Sequence, residues 1–174
     1  MWPFNKRTEN FDAKADIVAP LLMDCCKEAA PTFLKTLVGE DKADAQSEHL
    51  VPLTIELLIF ALHLTDRITF GRLGGDSRSS FMDALLPRVQ GMLYPHFHGN
   101  FQEQYNLRNS FYGGFRKFYP EKNENLENTL FWEFSKATGT IYSKSNPAAI
   151  MLMVGDSMNF MSTINELLTK ANVI

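Results

Sequence analysis

The apolar positions of this chain concentrate in one stretch. From Leu50 to Leu73, at about 100° per residue, apolar side chains cover almost the whole circumference of a helix. Leu50, Leu57, Leu64 and Ile68 share one side, while Ile55, Leu58 and Leu62 fill another. Pro52 suits a first turn, where its missing N–H costs nothing. Gly74 and Gly75 stand where such a helix should stop, because glycine accepts the backbone geometry that ends it. A helix apolar nearly all round is either a core helix or a membrane span. A span needs about 20 predominantly apolar residues, and Glu56, His63, Asp66 and Arg67 interrupt this one. The pattern therefore predicts a buried central helix over about 50–73 and no membrane span. Three of the interruptions are ordered: Glu56, His63 and Arg67 fall within about 40° of one another on the wheel, with Asp66 well off their stripe.

Amphipathic helical segments flank this stretch. Residues 12–38 carry an apolar face of Ile17, Val18, Leu21, Leu22, Cys25 and Ala29, with breaks expected at Pro20 and Pro31. A polar connection over 39–48 leads to the central helix. Beyond Gly75, capped by Asp76 or Ser77, a helix presents Phe81, Met82, Leu85, Leu86, Val89, Met92 and Leu93. Pro87 falls on its outer side, and Tyr94-Pro95 ends it. A loop containing His96 and His98 precedes an aromatic helix over 101–119, which Gly113-Gly114 weaken and within whose stripe Arg108 projects. Leu126, Leu130, Phe131, Phe134, Ala137 and Ile141 mark a further helix. Asn146-Pro147 opens the last one, whose core side runs from Ile150 through Phe160 to Ala171. No sustained period-2 alternation suggests strands, and no repeat suggests a solenoid. The expected architecture is all-α, a single-domain bundle of six or seven helices over 12–174, preceded by an N-terminal arm, 1–11. The central and last helices are expected to form its inner layer.

Composition narrows the picture. The chain has 174 residues, 45% of them hydrophobic and 21% charged, enough for one domain with a real core. Its net charge of −3 and lack of a long basic run argue against nucleic acid as a partner. Cys25 and Cys26 are adjacent and cannot build a disulfide framework. The start MWPFNKRTENF has no apolar core of a signal peptide, and no glycosylation sequon occurs. Together these features point to the reducing cytoplasm.

Several chemistries lack their residues. A di-iron bundle needs Glu-x-x-His on two helices, and neither that motif nor His-Glu-x-x-His occurs, so no metal and no other cofactor is expected. Gly75-Asp76-Ser77 and Gly155-Asp156-Ser157 resemble the first three residues of the GDSL hydrolase signature. Those enzymes place the serine after an early strand and follow it with leucine, and neither tripeptide here does so. Gly-x-Ser-x-Gly is missing. The glycine-rich Gly71–Gly75 has no P-loop Lys-[Ser/Thr], although Arg67, Arg72 and Arg78 surround it. Arg72 and Arg78 are thus candidate anion ligands at a helix start, with Asp76 opposing that role.

The leading functional reading is a cytoplasmic binding module that recognises a protein partner or small apolar ligand through a groove between helices. It rests on eight methionines and fourteen phenylalanines, more adaptable apolar side chains than such a domain can bury deeply. Trp2, Phe4, Met151 and Met158 are the expected interaction surface, and a homodimer is one way to cover it. The alternative is an enzyme or ligand sensor with a polar pocket built on Glu56, His63 and Arg67, with Arg108 beside them. On balance the chain reads as a binder and not an enzyme.

Overall fold

The computed structural model describes residues 10–93, 101–119, 121, 124–142 and 146–174, residue 45 through its backbone only. Trp2 and Phe4 of the arm, and Tyr94, Pro95, His96 and His98, lie outside the described residues. Within them the protein is an all-α bundle of seven helices with no strand. These are α1 (Phe11–Val38), α2 (Glu40–Ala43), α3 (Leu50–Leu73), α4 (Gly75–Leu93), α5 (Phe101–Gly113), α6 (Leu130–Tyr142) and α7 (Pro147–Lys170), with a 3₁₀ segment, Asp44–His49, between α2 and α3.

The central helix is α3. Every residue from Leu57 to Thr65 is buried, which removes any solvent face from its middle. The window Gln46–Leu73 is long and apolar enough to cross a membrane by length and composition. In the bundle it is instead packed by α1, α4, α5 and α7. Phe60 anchors an aromatic cluster there. Its ring stacks on Phe134 of α6 at 3.8 Å and meets Tyr112 and Phe131 edge-on at 5.4 and 6.4 Å. Gly74, at φ 79°, ends α3 by donating its N–H to Phe70 O, and α4 begins at the next residue. That geometry strains any residue with a Cβ, and the tight joint brings the first turn of α4 back beside the last turns of α3.

Four expectations are corrected. First, α1 is continuous through Pro20 and Pro31. Both prolines are exposed, so the hydrogen bonds they remove lie on the outer side, where a helix bends most easily. Ile17 and Leu21 are likewise exposed, and Cys26, not Cys25, is the fully buried thiol. Second, the connection after α1 is not bare loop but holds α2 and the 3₁₀ segment. Third, α5 ends at Gly113 and α6 starts only at Leu130, with Ile141 exposed. The reason is a shared use of backbone. Lys117 O and Phe118 O accept from Leu130 N and Phe131 N at 2.8 and 3.2 Å, satisfying two of the free N–H groups at the α6 start. Fourth, α1 joins α3 and α7 in the inner layer, since it packs against α3, α4, α6 and α7. The last helix runs as expected: Asn146 Oδ1 accepts from Ala148 N at 3.1 Å, and Pro147 takes the first turn.

Phe60→Ala is expected to cost about 3–5 kcal/mol of stability, because the aromatic cluster cannot collapse fully into the space left. Urea unfolding followed by circular dichroism measures it; a loss below about 1 kcal/mol contradicts the central role of this ring.

Candidate functional site

The polar stripe of α3 is largely withdrawn from water. It faces α5 and the segment after it, and each member has a partner there. Glu56 Oε1 accepts from the Tyr112 hydroxyl at 2.8 Å and pairs with Arg108 Nε at 3.1 Å. Tyr112 is fully buried, and burial, followed by the nearby Glu56 charge, raises its pKa well above the usual phenol. His63 Nδ1 lies 2.6 Å from Asn109 Oδ1. Arg67 donates Nη1 to Phe115 O at 2.6 Å and Nη2 to Arg116 O, while its guanidinium lies over the Phe118 ring, 4.2 Å from the centroid. The carbonyls of 115–118 thus serve both Arg67 and the α6 start, which explains why this segment is not helical: a helix would consume them.

Asp66, off the stripe, serves a different neighbour. Arg78 of α4 reaches it through Nε and Nη2, both at 2.5 Å, in the bidentate geometry that suits guanidinium and carboxylate. This hydrogen bond is the main reason the Arg78 pKa is raised. Of the two arginines expected to hold an anion, Arg78 is therefore engaged by Asp66, while Arg72 is exposed without an ion pair among the described residues.

Two members of the stripe, His63 and Arg67, and the Asp66–Arg78 pair border one open cavity of about 410 Å³. α3 contributes His63, Asp66 and Arg67 to its lining, and α4 contributes Arg78. The end of α5 and the following segment supply Asn109, Gly113, Phe115 and Arg116. Glu56 and Arg108 do not line it. Sequence reasoning missed Asn109 and Arg116, and it left Asp66 outside the grouping. The available signal was the run Arg108-Asn109 with Tyr112, polar groups placed to meet a polar stripe on a neighbouring helix.

His63 is the distinctive group. It is 3% exposed, and its pKa is lowered, first by burial and further by the Arg67 charge, against the raising effects of Asn109 and Asp66. Since Asn109 Oδ1 can only accept, Nδ1 carries the imidazole hydrogen and Nε2 keeps a lone pair. Nε2 is buried without a partner. The hydroxyls of Thr65 and Ser135 share that condition, but neither residue lines the cavity.

The remaining candidate groups lead elsewhere. Ser157 is fully buried and donates to Met153 O at 2.7 Å, so it packs a helix core. Asp156 accepts from Thr36 at 2.8 Å, tying α7 to α1. Burial raises the pKa of both Cys25 and Cys26, which opposes thiolate formation. Among the described residues no three His, Cys, Asp or Glu side chains cluster as a metal site. Comparison with protein-family models, with curated proteins and with solved structures gives no match.

Burial of neutral His63 makes stability depend on pH. Its pKa is 6.5 in an unfolded chain and lower in the fold, so below pH 6.5 the unfolded state binds the extra proton first. The stabilisation is fully present above that pH and is lost as pH falls toward the folded value. Denaturant midpoints between pH 8 and pH 5 should fall in acid, and the fall should be shallower in His63→Gln. Identical slopes in the two proteins contradict the assignment.

Proposed function

We propose that this protein is a binding module, with a groove where α1, α3 and α4 meet as its site for a small apolar ligand. The observation that carries this reading is the chemistry of that groove. Its volume is about 310 Å³, and Met23, Val51, Ile55, Met92 and Leu93 line it, with Lys27 and Thr54 as its polar members. Small-molecule sites occupy roughly 300–1,000 Å³ and are mostly apolar with a few placed polar groups. Val51 is 63% and Met92 37% exposed, a cost in water that a ligand would relieve. Two methionines give the walls adaptable shape. A volume of about 310 Å³ lies at the low end of the small-molecule range, which favours a small molecule over a protein partner. A cytoplasmic setting fits the two free thiols.

The enzyme or sensor alternative needs Glu56, His63 and Arg67 in one pocket. Glu56 is held by Tyr112 and Arg108 and does not line the cavity that His63 and Arg67 share. That arrangement favours the binding reading.

A second reading concerns self-association. Met151, Gly155 and Met158 are all exposed and stand at i, i+4 and i+7 on α7, a strip against which the same strip of a second copy could lie. Light scattering across a concentration series should show a dimer that Met158→Glu dissolves; a monomer at all concentrations removes this reading.

The apolar site is checked with methyl-labelled methionine and a medium-chain alcohol as probe. The Met23 and Met92 methyl signals should shift saturably, and Met92→Glu should weaken binding about tenfold or more while Met158→Glu leaves it unchanged. Shifts spread evenly over exposed methionines, or no saturation, contradict the proposal.

A further inference from the structure

The polar cavity between α3 and the end of α5 has a use of its own. Its charged lining is Arg67, Arg78 and Arg116 against Asp66, three guanidinium groups and one carboxylate. Asp66 is already matched by Arg78. Among the described residues Arg67 is compensated only by the neutral carbonyls of Phe115 and Arg116 and by the Phe118 ring. Arg116 is exposed, and its guanidinium has no ion-pair partner among the described residues. Arg67 and Arg116 thus both line the cavity with no ion-pair partner among the described residues. The second, independent observation is His63 Nε2, a buried nitrogen with no partner on a residue that lines the same cavity.

We propose that this cavity binds a small dianionic oxyanion, a phosphoryl group or a dicarboxylate, and that His63 gains a proton on Nε2 as the anion enters. Those two guanidiniums match a charge of −2, and guanidinium is the side chain best shaped to grip such oxygens. Nε2 is closed to water in the empty cavity, so the imidazole shifts locally as the anion enters, and an incoming oxygen then gives the protonated Nε2 the acceptor it lacks. The anion's charge opposes both effects that keep His63 neutral, its burial and the Arg67 charge. The proton comes from solvent or arrives on the ligand, and the balance is the same. The ionisable groups facing His63 are Asp66 and Arg67 on its own helix, Arg78 of α4 and Arg116; Asn109 and the Tyr112 ring, 5.5 Å from the imidazole, face it from α5. This site shares no lining residue with the apolar groove, so either can fail without the other.

The test uses sulfate, which carries two charges throughout the neutral range, so that any pH dependence belongs to the protein. Sulfate should bind saturably by calorimetry, and its affinity should rise as pH is lowered from 8 to 6, by up to about tenfold per pH unit for one proton taken up. In ¹⁵N spectra of the imidazole, Nε2 should move from an unprotonated to a protonated signal on saturation at pH 7. Arg116→Glu, at an exposed position that the fold does not need, should weaken binding at least tenfold with an unchanged melting temperature. Inorganic phosphate and succinate in parallel decide which source of oxyanion the site prefers. No saturable binding of any of the three, an unmoved Nε2 signal, or full affinity in Arg116→Glu overturns the proposal.

Discussion

The structure depends on what happens to the polar groups of a helix whose middle has no solvent face. Burying α3 removes from water a run of side chains that includes the imidazole of His63 and half-buries the carboxylates of Glu56 and Asp66 and the guanidinium of Arg67. Unpaired, such groups cost kilocalories each. The neighbours of α3 are arranged to prevent that. α5 supplies Arg108, Asn109 and Tyr112, α4 supplies Arg78, and the segment after α5 gives up helical hydrogen bonding so that its carbonyls can meet Arg67. Carbonyls of the same segment accept from the first N–H groups of α6. One constraint therefore sets where α5 stops, where α6 begins and how both lie on the core.

Satisfaction is not complete, and the remainder is where function is to be sought. His63 receives one partner for two nitrogens, and the arginines around it outnumber the carboxylates. Buried networks that are only partly satisfied are costly, and a ligand that completes one gains what the fold forgoes. The apolar groove has the complementary character, with exposed methionine and valine and almost no charge. Both recesses lie against α3, the groove at Val51–Ile55 and the polar cavity at His63–Arg67. The stretch between them, Leu57–Leu62, lines neither recess and is buried throughout.

How the chain tolerates two prolines in its first helix follows from the same layering. Pro20 and Pro31 lie on the exposed side of α1, and the buried side, from Ala15 through Leu22 and Cys26 to Leu37, is uninterrupted. Packing on α3, α4, α6 and α7 over that length outweighs the missing hydrogen bonds. Local propensity predicts breaks there because it does not weigh that burial.

The sequence by itself determined the helices as a class, the central position of α3, its ends at Leu50 and Gly74, and the capped start of α7. Those features depend on periodicity and on the chemistry of glycine, proline and asparagine, which act within a few residues. It also showed that Glu56, His63 and Arg67 form one stripe, because a stripe is a property of a single helix. Only the tertiary structure decided what the stripe means. Whether Glu56 joins His63 in a pocket or closes against Tyr112 depends on the partner helix, 56 residues away in the chain. The pairing of Asp66 with Arg78, the contribution of Asn109 and the end of α5 at Gly113 are likewise set by neighbours. Charges and carbonyls take whichever partner the packing brings within reach, and apolar periodicity carries no record of that choice.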